Sequence, residues 1–401
     1  MRTVCWLVSF EQTRPTEQWT VERSQGGYVV LSTSLLLALG GAVIAAGGVA
    51  LYTSGSLADW RNDSSKHETV DPTTEAVSEE LADVVTRTVP NGLPARPSGL
   101  AVGGDGTLYL SSCDGHQVFR VRPGMPADVV AGTGSAGIAD GPALTAEFEC
   151  PGSILLSPAG DLFLTDGVAH RIRKVTSTGE VITFAGGGAT GLGQGGFADG
   201  PGDQARFNLP AGIALAPDGS LVVADKDNNR IRRITPDGTV TTVAGTGVHG
   251  ATDGEGVRAT FSAPVGIAVD ADGTIYVTEH GNNSVRRISP DGRVSTILKT
   301  IPGPFAGTPA ASTLNLSYPS SIAILPGGSL LVADTQAHRL VVLQLTGAAR
   351  VVAGDGVSGQ QDGRGANARL FLPRALQPVG NGSTFLLLDG GSATIREVVL
   401  R

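Results

Sequence analysis

Six prolines, Pro97, Pro151, Pro210, Pro264, Pro319 and Pro373, stand at intervals of 54, 59, 54, 55 and 54 residues, and each heads a similar series of short apolar runs. A period of this size marks stacked supersecondary units, none of which can bury its own faces alone. The clearest unit, Leu209–Ser262, contains the runs GIALA, SLVVAD, RIRRI and TVTTVAG. Each is of strand length, and Asp218-Gly219 and Asp237-Gly238 supply the turn chemistry of tight hairpins, so the unit predicts one four-stranded antiparallel sheet.

Composition agrees with an all-β chain. Among 401 residues 41% are hydrophobic, only 16% are charged, and 57 are glycine without any collagen-like period. A formal charge of −8 lacks the basic footprint that nucleic-acid binding needs.

Before the repeats, residues 1–26 are polar and mixed. Tyr28 to Tyr52 then runs without a charge, long enough to cross a bilayer, so 27–52 is expected to be a transmembrane helix or signal anchor. A cleaved signal peptide is the alternative, which would make the protein secreted. Residues 53–82 are rich in Ser, Thr, Asp and Glu and read as a flexible stalk. Arginines before the hydrophobic run lean the orientation toward repeats outside the cytoplasm.

Six such units predict a six-bladed β-propeller over 83–401, its blades set radially around a channel. The last unit stops after three runs, and Asp83–Val89 offers a spare strand that would complete it and close the ring. The second run ends on an acid in five units, Asp166, Asp225, Glu279, Asp334 and Asp389, with Ser112 in the first. Four residues later stand His116, His170, Asn229, Asn283, His338 and Ala393.

These motifs, almost complete in Pro210–Ala244 and Pro264–Leu298, resemble the NHL-repeat family of β-propellers. The resemblance covers roughly 83–401 and implies the fold strongly and the function weakly, because propellers host many unrelated activities.

Strand direction places the acids, the His/Asn positions and the Gly-rich links between blades on one rim. His116, His170, Asp225, Asn229, His249, Glu279, Asn283, Asp334 and His338 are therefore the candidate binding residues. Each has a plainer role: the Asn and His residues would bond their own turn, and the acids would brace neighbouring blades. Calcium on the carboxylates or zinc on the imidazoles is the metal alternative; no cofactor is required. Some NHL relatives bind RNA, yet the basic pairs Arg173-Lys174, Arg232-Arg233 and Arg286-Arg287 point to opposite faces of their strands and cannot form one patch. Cys113 and Cys150 fall on the same rim of adjacent blades and are a disulfide candidate.

No nucleophile elbow, HExxH or P-loop is present. The expected function is a non-catalytic, membrane-anchored propeller holding a protein, peptide or envelope glycan on its long inter-blade loops, with no nucleic-acid partner. The alternative is a metal-dependent propeller enzyme, a lyase or lactone hydrolase, which would need carboxylates and imidazoles converging on the channel mouth.

Overall fold

A computed structural model describes residues 85–88, 96–187, 194–299, 314–380 and 382–400. The chain divides into two units, Met1–Glu79 and Glu80–Arg401, and only the second contains described residues. The predicted membrane helix at 27–52 and stalk at 53–82 lie outside the described residues. Among the described residues no helix is long and apolar enough to cross a membrane.

The second unit is a six-bladed propeller. The inner strands of blades 1 to 6 are Gly99–Val102, Pro151–Leu156, Pro210–Leu215, Pro264–Val269, Pro319–Ile324 and Pro373–Val379. Blade 3 shows the plan: Pro210–Leu215, Leu221–Asp225, Arg230–Ile234 and Val240–Ala244 pair in sequence order, each antiparallel to the last. Gly219, at φ +82, takes the left-handed conformation its hairpin demands, and the Asp218 carboxylate accepts the Ser220 N–H at 3.0 Å. The second strands of blades 3, 4 and 5, Leu221–Asp225, Ile275–Glu279 and Leu330–Asp334, are buried at every position. They lie between neighbouring blades, which is why they read as continuous apolar runs instead of alternating ones.

The core is distributed over the seams, and each of six buried clusters joins two adjacent blades. One combines Val222, Ala224 and Ile231 of blade 3 with Ile275, Val277 and Ile288 of blade 4 and Phe261 of the link between them. Another joins Leu388 and Ile395 of blade 6 to Leu100, Leu108 and Leu110 of blade 1. Inner strands crowd where the blades converge: a Cβ on Gly212 would collide with the Val265 carbonyl oxygen, so at this position in blade 3 only glycine fits.

The spare strand does close the ring. Val85–Thr88 pairs antiparallel with Thr394–Val399, Val85 opposite Val399 and Thr88 opposite Arg396, giving blade 6 its outer strand.

The inter-blade links depart from the expected free loops. Gly141–Pro142, Gly254–Glu255 and Gly363–Arg364 each add a fifth, two-residue strand to the outer edge of the following blade, and Gly200 bridges Val240 in the same way. Each of these four links thus descends the outside of the next blade before returning to its inner strand. It buries Phe148, Phe207, Phe261 or Leu370 on the way. The link tips stay exposed, Val248 and Val357 among them.

Candidate functional site

The rim acids are buried to 0% exposure and fully engaged, not presented to solvent. Asp225 accepts the Asn208 N–H at 2.8 Å and the Asn228 side-chain amide at 2.8 Å, and pairs with Arg232 at 2.7 Å. The Arg232 guanidinium, itself buried, reaches Asp199 of the incoming link at 2.6 Å and donates to the Arg206 and Ala198 carbonyls. It also lies 4.9 Å over the Phe207 ring. Asp199 continues the tie by accepting the Thr242 N–H at 3.2 Å on the fourth strand. The same set recurs as Arg173 with Asp166 and Asp140, Arg286 with Glu279 and Asp253, and Arg396 with Asp389 and Asp362. Each acid therefore binds its blade to the link that enters it, where the sequence had suggested a brace between blades.

Burial raises the carboxyls of Asp166, Asp225 and Asp334 above the usual range, against the pull of backbone N–H groups and arginine. Asp389 is pushed up to about 6 for the same reason.

The His/Asn register works across the seams and does not bond its own turn, as the sequence had suggested. His116, His170, Asn229, Asn283, His338 and Ala393 all sit at φ between +48° and +58°. From there the side chains of four of them accept an N–H of the next blade. His170 Nδ1 takes Leu209 at 3.0 Å, Asn229 Oδ1 takes Ala263 at 2.9 Å, Asn283 Oδ1 takes Tyr318 at 2.8 Å, and His338 Nδ1 takes Leu372 at 3.2 Å. Burial lowers the His170 pKa, keeping the ring neutral so that Nδ1 can accept. Asn and His share the register because both place an acceptor at the same reach and Asn tolerates left-handed backbone.

Blade 1 joins blade 2 differently. His116 Nδ1 lies 2.8 Å from the Glu149 carbonyl oxygen, and Cys113 and Cys150 form a disulfide with Cα atoms 4.0 Å apart. His249 sits exposed on a link tip, its backbone bridged to Phe261. Among the described residues no three His, Cys, Asp or Glu side chains gather as a metal site.

The open space lies in the middle. The six inner strands enclose a channel cavity of about 910 Å³. The inner strands are edges of their sheets, so backbone and small side chains face it, and its charged lining residues are Lys226 and Arg374. No Asp or Glu lines it among the described residues. His280 stands at the mouth, its ring centroid 5.0 Å from that of Tyr318 and its Nε2 3.4 Å from Ser320 Oγ. Ser320 Oγ lies 2.6 Å from Thr335 Oγ1, which donates to the Pro373 carbonyl at 2.7 Å. Burial, followed by the positive charges of Lys226 and Arg374, lowers His280 to about 4.

None of His280, Lys226, Ser320, Thr335 and Arg374 was among the residues the sequence singled out. A signal for them was present: Lys226, His280 and Thr335 each follow the acid, and Ser320 and Arg374 each follow the proline. Both registers face the mouth, and both vary from blade to blade.

The comparisons with known proteins follow the geometry. The chain is 29% identical to SUPPRESSOR OF QUENCHING 1, chloroplastic, of Arabidopsis thaliana over 221 residues, covering 52% of the chain and 21% of that protein. It is 28% identical to Teneurin-3 of Mus musculus over 269 residues, covering 57% and 10%. NHL repeat-containing protein 2 of Gallus gallus matches at 27% over 259 residues, covering 56% and 35%. The chain thus corresponds to only a part of each relative.

Among solved structures, a streptogramin B lyase aligns with a TM-score of 0.51 at 16% identity, covering 81% of this chain and all of that one. A gluconolactonase from Xanthomonas campestris aligns at 0.54 and 16%, covering 82% and 94%. An auxiliary nutrient binding protein from Bacteroides thetaiotaomicron aligns at 0.56 and 11%, covering 79% and 76%. At these identities the likeness concerns the fold. The family model for the Teneurin NHL domain matches residues 113–235 and 238–399, more than half of the chain. The protein belongs to the Teneurin NHL domain family of NHL-repeat β-propellers.

Proposed function

We propose that this propeller is a binding module, not an enzyme, anchored to a membrane by 27–52 and displayed outside the cytoplasm. It holds a protein, peptide or envelope glycan on the rim formed by the exposed link tips. The observation that supports this most is the division of labour on that rim. The acids and His/Asn side chains are consumed by internal bonds, while tips such as Val248, Val357 and His249 stand exposed. A rigid scaffold carrying exposed tips is a common arrangement for recognition. The Cys113–Cys150 disulfide supports a location outside the reducing cytoplasm.

The competing reading is a lyase or lactone hydrolase. Two structural neighbours carry those names, but the likeness extends to fold only. Against it stands the channel lining, which offers no carboxylate to hold a cation or serve as a base.

The test uses the full chain in detergent, probed against mixed peptide and glycan arrays. Ligands retained by the wild type are expected to be lost on Val248→Asp with Val357→Asp, and kept on Asp218→Asn at the opposite end. Failure to retain any array member, or binding indifferent to the rim changes, overturns the reading. Alkaline extraction of membranes checks the anchor: release into the soluble fraction removes it. Elemental analysis separates the two readings, because stoichiometric zinc or calcium surviving dialysis would favour the enzyme.

A further inference from the structure

The mouth of the channel is lopsided. Two registers supply it, the residue after each inner-strand proline and the residue after each second-strand acid. Gly152, Gly167 and Ala211, on blades 2 and 3, carry almost no side chain there. On blades 4 to 6 the same registers hold His280, Ser320, Thr335 and Arg374, and Tyr318 lines the mouth beside them.

These polar residues are one connected group. The rings of His280 and Tyr318 have centroids 5.0 Å apart, His280 Nε2 lies 3.4 Å from Ser320 Oγ, and Ser320 Oγ lies 2.6 Å from Thr335 Oγ1. Thr335 Oγ1 is 2.7 Å from the carbonyl oxygen of Pro373, the chain neighbour of Arg374. That last contact fixes the direction of the others. A carbonyl only accepts, so the Thr335 hydrogen goes to Pro373; Ser320 must then donate to Thr335, and His280 Nε2 must donate to Ser320. The His280 proton therefore sits on Nε2, and Nδ1 is left with a bare lone pair. Nδ1 has no partner among the described residues and is open to solvent.

A donor without a partner stands close to this acceptor. Arg374 is exposed and makes no ion pair among the described residues. Its charge reaches His280, where it adds to burial and to the Lys226 charge in keeping the ring neutral. Its stem lies across Gly390, where a Cβ would sit 2.6 Å from Arg374 Cδ. Tyr318 is 46% exposed, so much of its ring is open to a ligand.

This set of groups selects among ligands. A simple anion would meet the Nδ1 lone pair, a cation would meet Arg374, and an apolar molecule would leave both without a partner. A hydroxyl answers both, giving its hydrogen to Nδ1 and taking one from the guanidinium. The aromatic ring adds a surface for the C–H groups of a saturated ring.

We propose that the channel mouth binds a neutral sugar, a pyranose packed on Tyr318 with its hydroxyls shared between His280 Nδ1 and Arg374. The small residues Gly152, Gly167 and Ala211 leave room for the rest of the ligand. Two sources share this chemistry, a free sugar and the end residue of a glycan. The site lies apart from the exposed link tips and stands whether or not they hold a ligand.

The experiment titrates the full chain, kept in a polyoxyethylene detergent that carries no sugar, with methyl glycosides of glucose, galactose and N-acetylglucosamine and with their β-linked oligosaccharides. Binding is read by calorimetry and by the imidazole NMR signals of His280. Expected is saturable binding of at least one glycoside, with the His280 signals shifting in step. Tyr318→Asn removes the ring but suits the left-handed backbone at φ +53°, so it should keep the wild-type thermal midpoint and weaken binding at least about tenfold. Tyr318→Phe keeps the ring and should retain most of the affinity. Arg374→Gln should weaken binding several-fold, and so should Gly390→Ala, which displaces the Arg374 stem without touching the ligand. Val248→Asp with Val357→Asp should leave sugar binding intact. Oligosaccharides binding about tenfold more tightly than the methyl glycosides assign a glycan end as the source, and equal affinities assign a free sugar. Absence of glycoside binding, His280 signals unmoved at saturation, full affinity in Tyr318→Asn, or a preference for capped peptides over every sugar overturns the proposal.

Discussion

Blades 2, 3, 4 and 6 are built around a buried arginine, and blades 1 and 5 are not. Arg173, Arg232, Arg286 and Arg396 occupy one register of the third strand, where blade 1 has Phe119 and blade 5 has Val341. The links entering the four arginine blades carry Asp-Gly at Asp140, Asp199, Asp253 and Asp362, whereas residues 84–96 and 300–318, ahead of blades 1 and 5, contain no Asp-Gly. The difference teaches that acid, arginine and link aspartate form one unit. A guanidinium taken out of water needs its acceptors nearly complete, and three of them come from the link. Where the link cannot supply them, an apolar side chain takes the register. Blade 5 keeps Asp334 because the Ser317 N–H and Arg339 still serve it, and blade 1 has lost the acid as well.

The largest effect should come from breaking one ladder. Arg232→Met strands Asp225 and Asp199 and is expected to cost about 3–5 kcal/mol by denaturant midpoint, with Arg232→Met/Asp225→Leu recovering part of it. A cost below about 1 kcal/mol for the single change would mean that the arginine is ornamental, and blades 1 and 5 would cease to be exceptions.

Blade 1 has a covalent substitute. Replacing Cys113 and Cys150 by serine should lower stability by about 2–4 kcal/mol, with no such loss on reducing the variant further. If thermal melts with and without reductant coincide for the wild type, the disulfide does not compensate for the missing ladder.

A smaller, pH-linked effect tests the acid. Asp389 is raised to about 6 in the folded chain, so its contribution is fully present below the unfolded value of 3.8 and is lost as pH rises through about 6. Asp389→Asn should therefore flatten the stability profile between about pH 4 and 6 by roughly 1–3 kcal/mol, read from urea midpoints at each pH. An unchanged slope would place the titration elsewhere.

The smallest pair concerns the seams. Asn229→Ala removes the acceptor for the Ala263 N–H and leaves alanine in left-handed backbone, for a loss of about 1–2 kcal/mol. At the seam between blades 6 and 1, Ala393→Asn relieves the same strain and should gain a few tenths to about 1 kcal/mol. A loss at 229 no larger than the gain at 393 would show that the hydrogen bond itself contributes little.

Much of this was legible because it repeats. The proline period gave six blades, the three-run last unit called for Val85–Thr88, and the alternation within Arg232-Arg233 foretold that one basic side chain turns inward while the other stays at the surface, where Arg233 pairs with Asp218. The cross-seam bonds of Asn229 and His170 were not legible, because a left-handed residue redirects its side chain toward a neighbour that the linear pattern does not name. The Asp-Gly links looked variable because their tips vary in length and composition, while Asp253 and Phe261 within them repeat for structural reasons. Arg374 and Lys226 escaped for the opposite reason. They sit in strict registers but differ from their equivalents, and averaging over repeats suppresses what only one blade possesses.

The pairing of Val85–Thr88 with Thr394–Val399 also sets a clock. The two strands are separated by about 310 residues of sequence, so this contact has nearly the greatest separation the domain offers. During synthesis the first strand must wait, unpaired and open to other edges, until its partner has been made. The five-and-a-half blades between can nucleate locally, seam by seam. Ring closure is then the slow final event, and conditions that delay it favour pairing of this strand with the last blade of another copy.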